Sequence, residues 1–387
     1  MVELDHVVEE VLKVINDNGF SQKGAFNLRQ NGTSICHGDS EHIKIKKKTD
    51  KPGIDIYIDG ETKGEKVYIP VVVSVSGMTD LVYNDFYIAD GADVTIVAGC
   101  GIHNSGCNES RHDGIHTFHV GKNANVCYQE KHYGEGNGTG GRVLNPVTNI
   151  YVGENSVFTL DTAQIKGVDS TVRETLVEMG KNARLYVTER LMTEGEQTAE
   201  SNIEVRLNGE DSSAQIISRS VGKGNSVQTF HPKAVGNNKC QAHIQCDSII
   251  MDHAEIGSIP EIRARDLNAA IIHEAAIGRI NDEQLLKLRT LGLTEEEAEN
   301  TMLLQFLRVM DKTDAAIYTS ASEKELLGVS GLRKMIAEAD REGKDLTLTE
   351  AGCSLRPAHA YINATAARNN WNWRITPVHV ANSVELR

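Results

Sequence analysis

Aromatic residues are scarce in this sequence of 387 residues: phenylalanine, tryptophan and tyrosine make up 5% of it, whereas there are 34 glycines. This composition argues against a core built on large rings and favours a repetitive β architecture with small, stacked side chains. An excess of positive charge is also absent, since the formal net charge is −14. Such a charge repels phosphate backbones and anionic headgroups, so we expect neither nucleic acid nor a membrane as a partner.

Long hydrophobic runs are missing as well. The longest apolar stretch, residues 67–78, is interrupted by Pro70 and by serines, and it is too short to span a bilayer. The chain starts with Met-Val-Glu-Leu-Asp, which has neither the basic nor the apolar region of a signal peptide. The seven cysteines are an odd number and are widely spread. We therefore predict a cytoplasmic protein whose cysteines are free or bind metal rather than form disulfides.

A repeat dominates the middle of the chain. Residues 3–18 have apolar positions at helical spacing, which predicts a helix within an N-terminal segment 1–29. Across residues 30–280, a small residue is repeatedly followed two positions later by an apolar one, and three copies follow a Gly-Lys-Asn or Gly-Glu-Asn turn. The copies are 27 to 32 residues apart and start at Ala92, Ala124, Ser156 and Ala183, with looser ones at Ala214, Ala242 and Ala269.

A period of this length in strand-like sequence predicts a mainly β fold, a solenoid in which each repeat makes about one coil. The alternative is that a short pattern recurs by chance in a β-rich sequence. Helical signals return after the repeats, where residues 294–297 (Thr-Glu-Glu-Glu) match a capping box, and we predict a helical region at 281–312. A further helix is predicted at 330–343. Residues 313–387 are otherwise unassigned and are either a genuine extension or an expression artefact.

Cys246 and His273 are the most informative pair of candidate ligands. Both occupy the fifth position of adjacent repeats, so the register predicts that their side chains stack on neighbouring strands. Thiolate and imidazole are ligands for iron or zinc, although buried filling of the solenoid interior explains the pair equally well. Glu274 should point to the opposite face because side chains alternate along a strand. A joint role for Glu274 therefore requires a bend, a strand end or a second chain.

Other motifs give weaker signals. Cys100, His103 and Cys107, followed by three histidines, could form a metal site, but their intervals match no standard zinc spacing, so surface or core histidines are favoured. Residues 136–141 fit the G-x-G-x-x-G formula, yet no helix follows to hold a pyrophosphate, and we interpret them as a flexible loop. Glu130 and His132 could act as acid and base, but a solvated strand end is favoured. The three histidines that follow Cys107 are His112, His116 and His119.

Two common motifs are absent from the sequence. It contains neither the phosphate-binding loop motif G-x-x-x-x-G-K-[S/T] nor the motif G-x-S-x-G.

Ordered motifs between about residues 10 and 310 match one protein family. They lie at 49–56, 83–87, 97–104, 112–116, 130–136, 164–170, 209–213, 245–249, 273–278, 283–286 and 291–298. Together they resemble the SufB/SufD family of iron–sulfur cluster assembly scaffolds, particularly its shorter members that work with a single ATPase subunit. The most specific block is C-terminal and includes Gln245-Cys246-Asp247 and His273-Glu274. The tail after about residue 311 departs from the family.

This resemblance implies a right-handed parallel β-helix flanked by terminal helices. Cys246 matches the essential cysteine of the B-type chain, Glu274 matches its glutamate, and His273 matches the histidine of the D-type chain. One chain with both sets implies a homodimer that holds a transient iron–sulfur cluster near its two-fold axis. The implied partners are a SufC-like ABC-type ATPase docked on residues 281–312, a sulfur donor and apo iron–sulfur proteins. Cys100 and Cys127 are weak candidates for sulfur entry.

The resemblance implies a scaffold rather than an enzyme, with no catalytic residue of its own. Two other functions remain open at this point. A metal-dependent hydrolase or a carbohydrate-active enzyme on a β-solenoid would need several carboxylates or ligands converging in a groove, and the sequence shows no such cluster. A purely structural interaction module would need no metal site.

Overall fold

A computed structural model describes residues 4–16, 22–280, 282–290 and 293–307, and three short strands at 347–349, 375–378 and 383–386. The chain divides into two units, residues 1–279 and 280–387. The larger unit is a β-solenoid of about eight turns, so the predicted mainly β solenoid is confirmed.

Two eleven-stranded sheets form the walls of the solenoid, and most of their strand pairs are parallel. Sheet A contains β1 (Ala25–Gln30), β2 (Thr33–Gly38), β5 (Lys63–Tyr68), β6 (Val71–Val73), β8 (Asp93–His103), β10 (Asn125–Glu135), β13 (Val157–Lys166), β15 (Arg184–Thr193), β17 (Ser212–Gly222), β19 (Cys240–Ile250) and β22 (Ala269–Gly278). Sheet B contains β3 (Ile43–Lys47), β4 (Gly53–Ile58), β7 (Thr79–Ile88), β9 (Ser110–Val120), β11 (Arg142–Leu144), β12 (Val147–Val152), β14 (Ser170–Met179), β16 (Thr198–Leu207), β18 (Val227–Gly236), β20 (Glu255–Ser258) and β21 (Glu261–Ala264).

The predicted turns between coils are formed by asparagines in the left-handed region. Asn123, Asn155 and Asn182 have φ values of 55°, 58° and 54°. Asparagine is among the few residues with a side chain that adopt this conformation readily. Each turn brings a small buried residue, such as Ala124 or Ala183, to the start of the next strand, and alternate residues then point into the core.

Two of the looser repeat copies were predicted two residues out of register. Ala214 is level with Leu185, and Ala242 is level with Ile271. A pattern of small and apolar residues with a period of two is satisfied equally well after a shift of two, so spacing alone could not detect the error. The shift leaves every side chain on its predicted face, and the sheet interior is unaffected.

Helix α1 (His6–Ile15) confirms the predicted N-terminal helix, whose first turn is capped by the Asp5 carboxylate. It packs on β8, where two glycines leave room for it. A Cβ atom at Gly99 would lie 2.6 Å from Cβ of Ile15, and one at Gly101 would lie 2.2 Å from Cγ1 of Val11. Strand β1 begins at Ala25, within the last residues of the N-terminal segment 1–29.

The second unit contains the two helices predicted after the repeats, α2 (Asp282–Thr290) and α3 (Glu295–Leu307). The capping box of α3 is reciprocal: the Thr294 N–H donates to the Glu297 carboxylate at 2.6 Å, and the Glu297 N–H donates to the Thr294 hydroxyl at 3.2 Å.

The tail beyond α3 adds three antiparallel strands, β23 (Thr347–Thr349), β24 (Ile375–Val378) and β25 (Ser383–Leu386), which the sequence analysis did not predict. The predicted helix at 330–343 lies outside the described residues. Among the described helices, none is long and apolar enough to cross a membrane.

Candidate metal-binding site

Cys246 and His273 are in contact at the end of sheet A. The Cys246 Sγ atom on β19 lies 3.2 Å from Nε2 of His273 on β22. The two residues are not level, because Cys246 is level with Ala275 and His273 with Ile244. The predicted common repeat position is therefore wrong. The contact nevertheless forms because both side chains point inward and lie diagonally across neighbouring strands.

Burial sets the protonation state of this pair. Cys246 is 3% exposed, and burial raises the pKa of its thiol to about 11. Burial also lowers the pKa of the half-buried His273. At neutral pH the pair is therefore a thiol that donates its proton toward a neutral imidazole nitrogen. A metal that binds here must displace the thiol proton, because the thiolate is the ligand form of cysteine.

Glu274 lies on the outer face of β22, as the alternation of side chains predicted. Its Oε2 atom lies 3.5 Å from Nε2 of His243, which points outward from β19. The Glu274 side chain is 66% exposed. Within one chain the structure thus brings Cys246 and His273 together and leaves Glu274 on the other side of the sheet, beside an imidazole that the sequence analysis had not singled out.

The weaker metal candidates near residue 100 do not converge. Cys100 is buried in an apolar cluster, and burial raises its pKa well above the ordinary value. His103 instead contacts the Glu135 carboxylate at 3.0 Å, and Cys107 is exposed. Among the residues that the structure describes, no group of three or more histidine, cysteine or acidic side chains is arranged to hold a metal ion.

The three following histidines are divided between the two faces of β9. His112 and His116 point inward and are 2% and 3% exposed, so the favoured core assignment is confirmed for them. His119 points outward, and its ring stacks between those of Tyr87 and Tyr151, with centroids 5.1 and 5.6 Å away. Burial lowers the pKa of His116 to about 4, so this imidazole is neutral at neutral pH.

A row of hydrogen-bonded polar side chains runs through the solenoid interior. Tyr128 on β10 donates its hydroxyl proton to Glu130 at 2.9 Å, and its oxygen lies 3.1 Å from Nδ1 of His116 on β9. Arg173 on β14 donates to the second oxygen of Glu130. Burial would raise the pKa of Glu130, but Arg173 and His132 hold it well below its ordinary value. Glu130 is therefore a buried, paired carboxylate.

The prediction that Glu130 and His132 lie at a solvated strand end is wrong, because they are 1% and 3% exposed. The repeat contained the signal that would have corrected it. In the copy that starts at Ala124, every second residue points inward, which places Tyr128, Glu130 and His132 inside the solenoid.

The polar row continues toward Cys246. Glu189 on β15 accepts hydrogen bonds from Ser201 at 2.7 Å and from Ser218 at 3.2 Å, and it lies 4.0 Å from Nε of Arg173. Ser218 is level with Cys246 on the next strand. The negative charge of Glu189 adds to the burial that raises the pKa of the Cys246 thiol.

The glycine-rich segment 136–141 packs backbone against backbone on the coil before it. The N–H groups of Gly138 and Gly140 donate to the carbonyl oxygens of Asn104 and Gly106 at 3.1 and 3.0 Å. A Cβ atom at Gly138 would lie 2.1 Å from the Gly106 carbonyl oxygen, so this contact requires glycine. Strand β11 follows rather than a helix, so no helix N-terminus lies directly after this segment to hold a pyrophosphate. The segment is an irregular loop, and its backbone is hydrogen-bonded to the coil before it.

Comparisons with known proteins identify the family. The model described as "SUF system FeS cluster assembly, SufBD core domain" matches residues 82–306, more than half of the chain. The chain belongs to the SufBD family. A SufBD family protein of Methanocaldococcus jannaschii is 28% identical over 286 residues, which cover 68% of this chain and 89% of the relative. One from Archaeoglobus fulgidus is 26% identical over 264 residues, covering 67% of this chain and 70% of the relative.

A SufBD relative from Methanothermobacter thermautotrophicus is 26% identical over 253 residues, covering 64% of this chain and 60% of the relative. All three relatives are described as iron–sulfur cluster assembly proteins. SufBD membership therefore places the chain in iron–sulfur cluster assembly and confirms the resemblance inferred from its motifs. The matched region extends from β7 to α3 and includes Cys246 and His273.

Proposed function

We propose that this SufBD family chain is a scaffold that accepts sulfur and iron, holds a nascent iron–sulfur cluster and passes it to apo-proteins. The observation that carries the proposal is the 3.2 Å approach of Cys246 Sγ to His273 Nε2. Thiolate and imidazole are the side chains that ligate iron in such clusters. They meet on the last two strands of sheet A, where His273 is partly open to solvent.

Loading of iron requires loss of the thiol proton of Cys246. The neutral Nε2 atom of His273 accepts that proton and passes it to solvent, after which both side chains are free to bind iron. The cluster is cargo in this scheme, and the chain needs no catalytic residue of its own. It is a scaffold and not an enzyme.

A homodimer would supply the ligands that one chain lacks. Each chain offers Cys246 and His273 on one face and Glu274 on the other, so four cluster positions require a second copy. Within the described residues, no strand pairs with the outer edge of β22. Apolar side chains on this strand are open, with Ile272 57% and Ile277 43% exposed. A second chain docked at this edge would bring two sets of ligands near a two-fold axis.

Reconstitution under anaerobic conditions tests the site. Cys246→Ser keeps the size of the side chain but weakens iron ligation, so most of the cluster-associated visible absorbance should be lost while the circular dichroism spectrum is retained. Cys36→Ser and Cys353→Ser are the matched controls and should load as the unmodified chain does. A Cys246→Ser protein that loads a full cluster would overturn the site and direct attention to Cys100.

An ABC-type ATPase resembling SufC is the proposed energy source, because the sequence contains no phosphate-binding loop of the G-x-x-x-x-G-K-[S/T] type. We assign its docking site to the helical region 281–312, where Leu286 of α2 is 60% exposed. The purified chain should hydrolyse no ATP. Deletion of residues 283–310 should abolish co-purification with the ATPase while strand content by circular dichroism is unchanged. A complex that survives the deletion would show the docking assignment to be wrong.

A further inference from the structure

Two buried histidines of β9 have ring nitrogens beside the same small space inside the solenoid. Gly114 lies between them on the strand. A Cβ atom at Gly114 would be 2.8 Å from Nε2 of His116 and 3.3 Å from Nε2 of His112. Because both distances end at one point, the two nitrogen atoms are at most about 6 Å apart. The glycine thus leaves a space between the imidazoles that a side chain at this position would fill.

The other ring nitrogen of each histidine has a partner that fixes its tautomer. Nδ1 of His112 lies 3.0 Å from a carboxylate oxygen of Asp80, which can only accept a hydrogen bond. Nδ1 of His116 lies 3.1 Å from the Tyr128 hydroxyl, whose one proton is donated to Glu130. Both Nδ1 atoms therefore donate, and Nε2 of each neutral ring carries a lone pair.

Two nitrogen lone pairs beside one buried space require a positively charged or proton-donating ligand between them. His112 is 2% exposed, and its Nε2 atom has no hydrogen-bond partner on the protein. His116 is 3% exposed. A carboxylate or hydroxyl behind the imidazole is also the usual means by which proteins orient a metal-binding histidine. These features indicate a metal site with two nitrogen ligands.

The number of ligands favours copper(I). Within the described part of the chain, no third histidine, cysteine or acidic side chain completes a metal-binding group here. Protein-bound zinc almost always has four ligands. Imidazole is also a good ligand for copper, and the filled d shell of copper(I) makes two ligands sufficient. Two histidines without further ligands therefore suit copper(I) better than zinc.

Charge favours an ion with a single positive charge. The buried carboxylates near this space are those of Asp80, Glu130 and Glu189. The buried guanidinium groups beside them are those of Arg29 and Arg173. These five side chains together leave one negative charge unbalanced, and net charge is costly to bury. One monovalent cation balances it, whereas a divalent cation would leave a positive charge in its place.

We propose that His112 and His116 bind one copper(I) ion through their Nε2 atoms, in the space beside Gly114. Binding displaces no proton, because both nitrogens already carry lone pairs. The site goes beyond the proposed function, since it lies on β9 of sheet B and shares no residue with the pair Cys246 and His273 on sheet A.

Anaerobic loading of the full chain with copper(I) tests the site. The chain carries Cys246→Ser and its accessible thiols are blocked with iodoacetamide, so the result does not depend on the proposed cluster site. One copper per chain should remain after competition with bicinchoninate, and X-ray absorption at the copper edge should show nitrogen neighbours and no sulfur. His112→Gln should lose this copper. Gly114→Ala should lose it too, because its methyl group occupies the space while both histidines remain.

His119→Gln is the matched control, because His119 lies on the same strand but points outward, and this variant should retain the copper. Circular dichroism shows which variants are folded. A parent chain that retains no copper, or one whose copper has sulfur neighbours, would overturn the site. Retention of copper by folded Gly114→Ala would also overturn it. If His112→Gln does not fold, Gly114→Ala decides the question, since it leaves the Asp80 and Tyr128 partners of both histidines in place.

Discussion

At the scale of single residues, the environment of Cys246 decides what its thiol can do. A reactive cysteine is partly exposed and has a lowered pKa, whereas Cys246 is buried, lies near the negative charge of Glu189 and contacts a neutral His273. Cys246 is therefore an unreactive thiol in this structure. In the proposed scheme iron converts it to a thiolate, because metal binding displaces the thiol proton.

Alkylation of the metal-free chain with iodoacetamide at pH 7.5 should show that Cys246 reacts more slowly than an exposed cysteine. With a pKa of about 11, Cys246 has so little thiolate that it should react more than about a hundredfold slower than a free thiol of pKa about 8.5. Exposed Cys107 provides the internal control and should be modified first, as measured by peptide mass spectrometry. If Cys246 is alkylated as fast as Cys107, the thiol is not held in the protonated, buried state described here.

At the scale of strands and coils, each inward-facing position holds either an apolar side chain that packs in the core or a polar side chain with hydrogen-bond or ion-pair partners. Most are filled by small and branched apolar side chains, but β9, β10, β14 and β15 contribute the polar row from His116 to Glu189. Such a row is tolerated because each of its charges has a partner. Arg173 lies beside two carboxylates, those of Glu130 and Glu189, and Ser201 and Ser218 also donate hydrogen bonds to Glu189. Protonation of an inward residue should therefore weaken the coil that contains it.

His116 should make the fold sensitive to acid. Its folded pKa of about 4 lies below the unfolded value of about 6.5, so the unfolded chain binds the proton more readily. The stability from neutral His116 is present above about pH 6.5 and is lost as the pH falls toward 4, which amounts to about 2 kcal/mol between pH 7 and pH 5. Urea unfolding of the unmodified chain and of His116→Gln at these two pH values measures this loss as a change in the free energy of unfolding.

The variant should lose less stability on acidification than the unmodified chain. His119→Gln is the matched control, since His119 lies three residues further along β9 on the exposed outer face. Its pH dependence should follow the unmodified chain. If the free energy of unfolding falls equally with pH in all three proteins, protonation of His116 does not limit stability in acid.

The sequence was sufficient to predict which face of the sheet each side chain points to, but not which residues lie level with each other on neighbouring coils. Small residues such as Ala124 and Ala183, each placed after an asparagine turn, were sufficient to predict the solenoid and the face to which Cys246, His273 and Glu274 point. The exact register was not predictable, because a shift of two residues at Ala214 preserves the pattern.

The ion pair between Glu130 and Arg173 illustrates the second limit. These residues are 43 positions apart, and no local pattern links them. Their contact depends on the register of several coils together. The same holds for the diagonal contact of Cys246 with His273, since the predicted reason for that contact, a shared repeat position, was incorrect although the contact exists.

At the scale of the larger unit, the two ends of the solenoid differ. At the first end the edge strand β3 is short and carries adjacent lysines, Lys46 and Lys47, which discourage pairing with another chain. At the other end β22 is ten residues long and parallel to its neighbour, and it exposes Ile272 and Ile277 as well as Glu274. An edge of this kind favours association, and it is the edge beside Cys246 and His273. The asymmetry supports the proposed homodimer.

Light scattering should show a homodimer with twice the chain mass of 42.4 kDa. A charged residue introduced on β22 should dissociate this dimer. Ile272→Asp places a carboxylate on the outer face of β22, where the side chain is 57% exposed, so the monomer should fold while the dimer loses affinity. Val172→Asp is the matched control, because Val172 is 39% exposed on β14 in the middle of sheet B, and this variant should remain dimeric.

If both variants stay dimeric, the interface lies elsewhere. If Ile272→Asp is monomeric and still reconstitutes a full cluster, the second chain supplies no ligand, and the two-fold cluster site is wrong even though the dimer is real.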